Sequence, residues 1–391
     1  MYLSPSSPLS VTSLPSPRGS AHRHEFELAG GIEDWEDVRG ADVDRYGFIQ
    51  PGSRRPISRA SSAQAIKAAQ DREARRTEKW RNMAKMIEGV QVEFDTRSPK
   101  LIERTWKGIP DRWRSSAWYS FLASSARDAK SEVTDQELIA QFHSLQEVSS
   151  SDDVQIDLDV PRTINRHIMF RKRYRGGQRL LFRVLHALSL YFPDTGYVQG
   201  MAALAASLLC YYDEERCFVM LVWLWQFRGL KRLYQHGFGG LMIALQDLEK
   251  YWLKGKPISQ KLNDLGIDPT AYGTRWYLTL FNLSIPFPVQ LRVWDVFILL
   301  GGCPPTLEPS SGKAKQKEQA NEPESDMIFD GLDIIHATAA ALIDIHRDVI
   351  IDGDFENVMK GLTSFQEVKD EDKFINLVRA EWNTHRGKKK G

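Results

Sequence analysis

The sequence is short of cysteine, of charge imbalance and of long apolar runs, and each shortage removes a class of protein. Only three cysteines occur among 391 residues, Cys210, Cys217 and Cys303. Their number is odd and no two form a CxxC pair, which argues against a disulfide framework and against a thiolate zinc site. The expected setting is a reducing one, the cytoplasm. Lys plus Arg (52) nearly cancels Asp plus Glu (51), leaving a formal net charge of +1. The chain as a whole therefore carries no field that would draw nucleic acid or an anionic membrane. The longest apolar run, residues 201–212, falls short of the roughly 20 residues a spanning helix needs. The N-terminus is rich in serine and proline and has no apolar segment of the kind a secretion signal requires. A chain that is neither secreted nor membrane-spanning is expected.

Enzyme signatures are missing too. There is no GxxxxGK[ST] phosphate loop, no GxGxxG after a strand, no GxSxG elbow and no HExxH. His22 and His24 lie in the Ser/Pro-rich tail, where a metal would have no frame, and the other histidines are scattered. No autonomous catalytic centre is legible, and no resident cofactor or metal is expected.

What is present is core material. The chain is 42% hydrophobic with 11 tryptophans and 18 phenylalanines, ample for one large domain. Residues 1–60 are Ser/Pro-rich and cannot bury enough surface to offset their ordering entropy, so they are expected to be flexible. Within them DWEDVRGADVDRYGFI mixes aromatic and acidic residues; it reads either as a docking segment or as a loosely packed linker, with the linker preferred. Residues 61–97 hold strong helix formers with few large apolar side chains, a charged, solvated helical lead-in.

The compact part is read as residues 98–350, helical almost throughout. Leu181, Val184, Leu185, Leu188 and Phe192 recur at steps of three and four, as one buried helix face requires. PDTG then ends that helix. Residues 201–212 are apolar on nearly all sides, which suits a central helix. The run FVMLVWLWQF is open to a buried helix or a core strand; its length and helical neighbours favour helix. Residues 271–283, 287–300 and 329–348 continue the pattern, and strands nowhere alternate with helices as a parallel α/β fold would need. The polar stretch 303–327 is too long for an ordinary connection and reads as a disordered insertion. Residues 351–391 add a helical segment and a short basic tail. The fold class expected is all-α, with a single core.

Two polar side chains stand apart from this apolar mass. In IDLDVPR, Asp159 is an N-cap candidate and Pro161 a first-turn residue, so Arg162 is expected at the positive end of a helix, where the macrodipole disfavours a cation. In GYVQGM, Gln199 stands in a glycine-bracketed turn just before the apolar helix. Each has a plain reading, Arg162 as a surface ion-pair member and Gln199 as a capping amide. Together they are the two groups that accelerate phosphoryl transfer from GTP: one neutralises charge on the phosphates, the other orients the attacking water.

Four stretches carry a resemblance. IDLDVPR resembles an IxxDxxR motif and YVQG a YxQG motif of the TBC domain, the module of GTPase-activating proteins for Rab GTPases. RTWKGIPDRWRSSAWYSFL (residues 104–122) is similar to the opening motif of that family and SIPFPVQLRVWD (residues 284–295) to its third signature. The resemblance covers about 250 residues, from 104 to about 348. It implies a V-shaped, all-helical domain that grips a GTP-loaded Rab and inserts Arg162 as an arginine finger and Gln199 as a glutamine finger. Asp159 and Tyr197 would hold the finger loops, while Ile156 and Gly200 complete the motifs. GTP and magnesium would belong to the partner, making the chain an activator in vesicle trafficking and not itself the hydrolase, with at most peripheral membrane association. In the other two motifs a structural role is expected: Trp118, Trp276 and Trp294 as core anchors, Arg292 with Asp295 as a polar contact, and Arg114 in the same way. The alternative is a scaffold that binds a Rab or another trafficking protein without stimulating it. Retention of both Arg162 and Gln199 favours activation.

Overall fold

Helices start where the sequence supplies caps. Thr134 and Glu137 form a reciprocal capping box ahead of the helix Asp135–Leu145. The Asp213 carboxylate accepts the Arg216 amide at 2.8 Å and opens Glu214–Phe227. Pro99 occupies the first turn of Pro99–Trp106, where a missing N–H leaves nothing unpaired. The computed structural model describes residues 43–49, 59–87, 91–171, 176–302 and 330–389. It is an all-α fold whose one sheet among the described residues is a hairpin, Lys85–Ile87 antiparallel to Gln91–Glu93 with Lys85 opposite Glu93.

The centre is a cluster of apolar helices. Gly176–Tyr191, Met201–Leu209 and Glu214–Phe227 pack on one another, and every residue of Met201–Leu209 is buried, so this helix needs no polar face. Asp111–Asp128 joins Glu214–Phe227 to Phe287–Leu300, which packs on Asp333–Ile345, and that helix in turn lies along Glu371–Lys389. Trp118, Trp276 and Trp294 are fully buried, as core anchors must be. Truncating any of them to alanine would cost about 3–5 kcal/mol. Among the described residues no helix is long and apolar enough to cross a membrane.

The ambiguous run FVMLVWLWQF is helical within Glu214–Phe227, and 287–300 forms a helix over its expected length. Elsewhere the helices stop sooner than their apolar pattern. Thr270–Leu278 ends before 283 because Leu280, Phe281 and Leu283 take left-handed φ values of 44°, 64° and 60°. Burial of Phe281 and a 3.0 Å bond from Trp294 Nε1 to the Leu280 carbonyl hold that turn. The lead-in helix, Arg59–Arg81, also ends well before 97, giving way to the hairpin, and its Trp80 is buried against Phe94, ring centroids 5.2 Å apart. The core thus reaches upstream of 98. It also extends downstream, because Phe374, Ile375 and Val378 of Glu371–Lys389 are buried in it. The linker reading of the aromatic and acidic segment is corrected over 43–49, which is closed on itself by the bridge Val43–Ile49 and docked on the domain through the bridge Phe48–His167. The rest of the Ser/Pro-rich region, the insertion 303–327 and the final residues of the basic tail lie outside the described residues.

One polar cluster lies deep in this core. The Asp295 carboxylate accepts from Arg114 Nε (2.9 Å), Arg114 Nη2 (3.3 Å), Trp118 Nε1 (2.9 Å) and the Ile109 amide (3.1 Å). Burial is the largest single influence and opposes charge on Arg114, but Asp295, Tyr211 and Asp111 together outweigh it and hold the guanidinium pKa well above its ordinary value. Asp295 therefore pairs with Arg114 and not, as its sequence neighbourhood suggests, with Arg292. Arg292 points the other way, to Asp372 at 2.9 Å and the Trp106 carbonyl at 3.0 Å.

Candidate functional site

The IDLDVPR stretch folds as the helix Asp153–Asp159 followed by a tight 3-10 turn, Val160–Arg162. Seven residues are too few for a stable isolated helix, so tertiary contacts must hold it. At its start the Asp153 carboxylate meets His186 Nδ1 at 2.6 Å and accepts the Ser150 amide at 3.2 Å. Ile156 is fully buried one turn later, and Asp159, three residues on, faces the same way and is buried too. The Tyr197 hydroxyl donates to Asp159 Oδ2 at 2.9 Å.

This placement corrects the helix-start reading. Asp159 makes no capping bond and closes a helix instead of opening one. Arg162 ends a turn, so no macrodipole penalty attaches to it. Pro161 fits because the first donors of the 3-10 turn have no internal partner in any case. Arg162 itself is exposed, and among the described residues its guanidinium has no hydrogen bond or ion pair. Val154 and Leu158, 74% and 48% exposed, lie one turn apart on the outer face of the same short helix and lead toward it.

Gln199 stands in the turn between Gly176–Tyr191 and Met201–Leu209. Gly200 caps the second helix with φ 113°, and a Cβ there would meet the Leu278 carbonyl at 3.0 Å. Both facts require glycine. Gly196, at φ 61°, opens the turn. The Tyr197 amide donates to Asp152 Oδ2 at 2.8 Å, so this turn is bonded twice to the segment carrying Arg162. Burial pushes the Tyr197 hydroxyl pKa far up and the Asp159 carboxylate adds to the shift, so the group stays a donor at any physiological pH. Gln199 is exposed, and its amide has no partner among the described residues.

Structure thus joins the two motifs through their inner residues, Ile156, Asp159 and Tyr197, and leaves Arg162 and Gln199 facing solvent. Asp152 was not legible as part of the site. Its only signal was an acidic pair after a serine run, a pattern shared with many helix starts. Changing Tyr197 to phenylalanine leaves the Asp159 carboxylate buried without its donor. The expected loss is about 1.5–3 kcal/mol of stability, read by denaturant unfolding, and any activity carried by the two loops should fall with it.

Residues 111–307 match the Rab-GTPase-TBC domain family. The chain belongs to that family. Both Arg162 and Gln199 fall inside the matched span, whereas the lead-in helix, the hairpin and the docked segment 43–49 precede it. The TBC chain is 42% identical to a TBC domain-containing protein of Schizosaccharomyces pombe over 80% of its own length and 68% of the relative's. It is 30% identical to the Rab GTPase-activating protein tbc-11 of Caenorhabditis elegans, over 60% of this chain but only 24% of that protein. With mouse TBC1 domain family member 10B the identity is 30% over 66% of this chain and 31% of the relative. In structure the TBC chain resembles the Ypt/Rab-GAP domain of Gyp1p, with a TM-score of 0.60 at 16% identity, covering 80% of this chain and 98% of that one. A flagellar RabGAP TBC domain of Chlamydomonas superposes with a TM-score of 0.59 at 21% identity, over 88% and 100% of the two chains. These two likenesses establish the fold.

Proposed function

We propose that this TBC-domain protein accelerates GTP hydrolysis by a Rab-type small GTPase in its GTP-bound form, inserting Arg162 and Gln199 into the partner's nucleotide site. The observation that carries the reading is the arrangement just described: two exposed polar side chains without partners among the described residues, on loops bonded to each other through Tyr197 and Asp159. A guanidinium offers a planar fork of donors that matches phosphate oxygens and spreads positive charge where negative charge develops. A carboxamide both accepts and donates, so it can hold a water by one hydrogen while aligning its lone pair for attack. GTP and magnesium belong to the partner. Val154 and Leu158 supply apolar surface beside Arg162, which suits a protein partner better than a free nucleotide.

The test is single-turnover hydrolysis across a panel of GTP-loaded Rab proteins, with and without the purified chain. At least one should be strongly stimulated. Gln199→Ala should lower that stimulation by about 10²–10³-fold, the usual cost of one positioned donor. Gln199→Glu should do no better, because it removes the N–H and adds a charge that repels phosphate. Tight binding of a Rab without stimulation would instead establish the scaffold alternative.

A further inference from the structure

The arginine loop is held on both sides, and its downstream support comes from a segment outside the matched domain. Residues 43–49 fold into a compact turn. Asp44 Oδ1 accepts the amides of Tyr46 and Phe48, both at 2.9 Å. Gly47 at φ 92° lets the chain reverse. The turn then pairs with the stretch just beyond Arg162. The Ile49 amide donates to the Arg166 carbonyl at 3.0 Å and the Ile168 amide to the Gly47 carbonyl at 2.9 Å. His167 is fully buried beneath it; its Nδ1 accepts the Met169 amide at 3.2 Å, so Nε2 carries the proton and donates to the Tyr46 carbonyl at 2.7 Å. The Phe48 ring sits edge-on to His167 at 5.0 Å and against Phe287 at 4.9 Å.

Between Arg162 and this contact lies Ile164, a buried β-branched residue at φ 46°. Such a residue strongly resists the left-handed region and stays there only when its surroundings leave no alternative. Upstream, the Tyr197–Asp159 bond fixes the chain three residues before Arg162. Downstream, four bonds to 43–49, the fourth from Arg166 Nη2 to the Ile49 carbonyl at 3.2 Å, fix it four to six residues after. Without the second clamp the strained turn is free to relax, and the arginine at its base would move with it.

We propose that the N-terminal segment 43–49 is a positioning element for Arg162, docked on the 164–168 turn so that the guanidinium is presented in one place. The proposal rests on the reading of Arg162 as the group inserted into the partner GTPase. Phe48 and His167 act through the loop and touch neither nucleotide nor partner.

The experiment uses the full chain. Phe48→Ala removes both ring contacts, to His167 and to Phe287 at the start of Phe287–Leu300, while leaving Gly176–Tyr191, Met201–Leu209 and Glu214–Phe227 untouched. It should lower the maximal stimulated rate tenfold to a hundredfold, as small misplacements of a catalytic group do, with KM for the GTP-loaded Rab changed less than about threefold. Phe48→Leu should restore most of the rate. In an Arg162→Ala background Phe48→Ala should change nothing further, because the group it positions is gone. Hydrogen exchange should show the Ile168 and Ile49 amides less protected in Phe48→Ala, with the amides of Met201–Leu209 unchanged. A wild-type rate in Phe48→Ala, an equal further loss in the Arg162→Ala background, or unaltered protection of Ile168 overturns the proposal. If Arg162→Ala itself keeps the wild-type rate, the reading of Arg162 has failed and the proposal falls with it. Loss in Arg162→Ala with none in Phe48→Ala sinks the positioning role alone.

Discussion

Arg162→Ala should abolish nearly all stimulation of the partner GTPase, a loss of about 10³–10⁵ in rate or roughly 4–7 kcal/mol of barrier. The same substitution should leave unfolding within about 0.5 kcal/mol of the parent, because an exposed side chain without partners among the described residues carries little of the fold. Separation of the two effects is the useful part. A defect in rate without a defect in stability identifies a group displayed for something outside the molecule. Arg162→Lys should recover only a small fraction, since an ammonium is a point charge and cannot fork across two phosphate oxygens. Single-turnover hydrolysis at saturating activator, paired with denaturant unfolding of the same preparations, reads both. Loss of rate in proportion to loss of stability would mean that Arg162 acts through the fold.

Asp295→Ala should have the opposite signature, a large loss of stability with no direct chemical consequence. Its carboxylate is fully buried and receives four donors, two of them from Arg114. Removing it takes from the buried guanidinium the carboxylate that two of its nitrogens reach and leaves Asp111 as its remaining ion pair, at a cost of about 3 kcal/mol. The pair is not thereby a large net contributor, because two charges had to leave water to form it. Arg114→Met in the Asp295→Ala background should therefore recover part of the loss by removing the under-compensated buried cation. Equilibrium unfolding in urea checks both, with an unchanged slope indicating that the native state is otherwise intact. A loss under 1 kcal/mol for Asp295→Ala would mean that water or rearrangement solvates Arg114.

The helices were legible where one local signal sufficed. Residues 201–209 are apolar at every position but Ser207 and form a helix that stops three residues short of the 201–212 run, and 214–227, opening on an Asp cap, is helical as favoured. The polar side chains of the site were legible as residues standing out beside an apolar mass, and their motif spacing carried the family resemblance. What the local pattern could not give was direction. The helix Asp153–Asp159 is too short to show a period, and a proline two residues after an aspartate looks the same whether it opens a helix or a terminal 3-10 turn. Only the Tyr197 hydroxyl, 38 residues away, decides that Asp159 points inward. The partner of Asp295 was hidden for the same reason. Arg292 is near in sequence, yet Arg114, 181 residues away, occupies the side of the helix that Asp295 faces. The segment 43–49 shows no amphipathic face of its own; its docking depends on a turn more than a hundred residues further along, Ile49 reaching Arg166 across a separation of 117.

The span between Arg114 and Asp295 also sets a timetable. During synthesis at about 5–20 residues per second, the 181 residues that separate them take roughly ten to forty seconds to emerge from the ribosome. Until then Arg114 has only Asp111, one turn away on the same helix, as an anion, and the Trp118 Nε1–H has no acceptor, so the nascent N-terminal part cannot settle early. Folding of this chain must wait for the last third of its sequence, and the unfinished protein is the form that chaperones would meet.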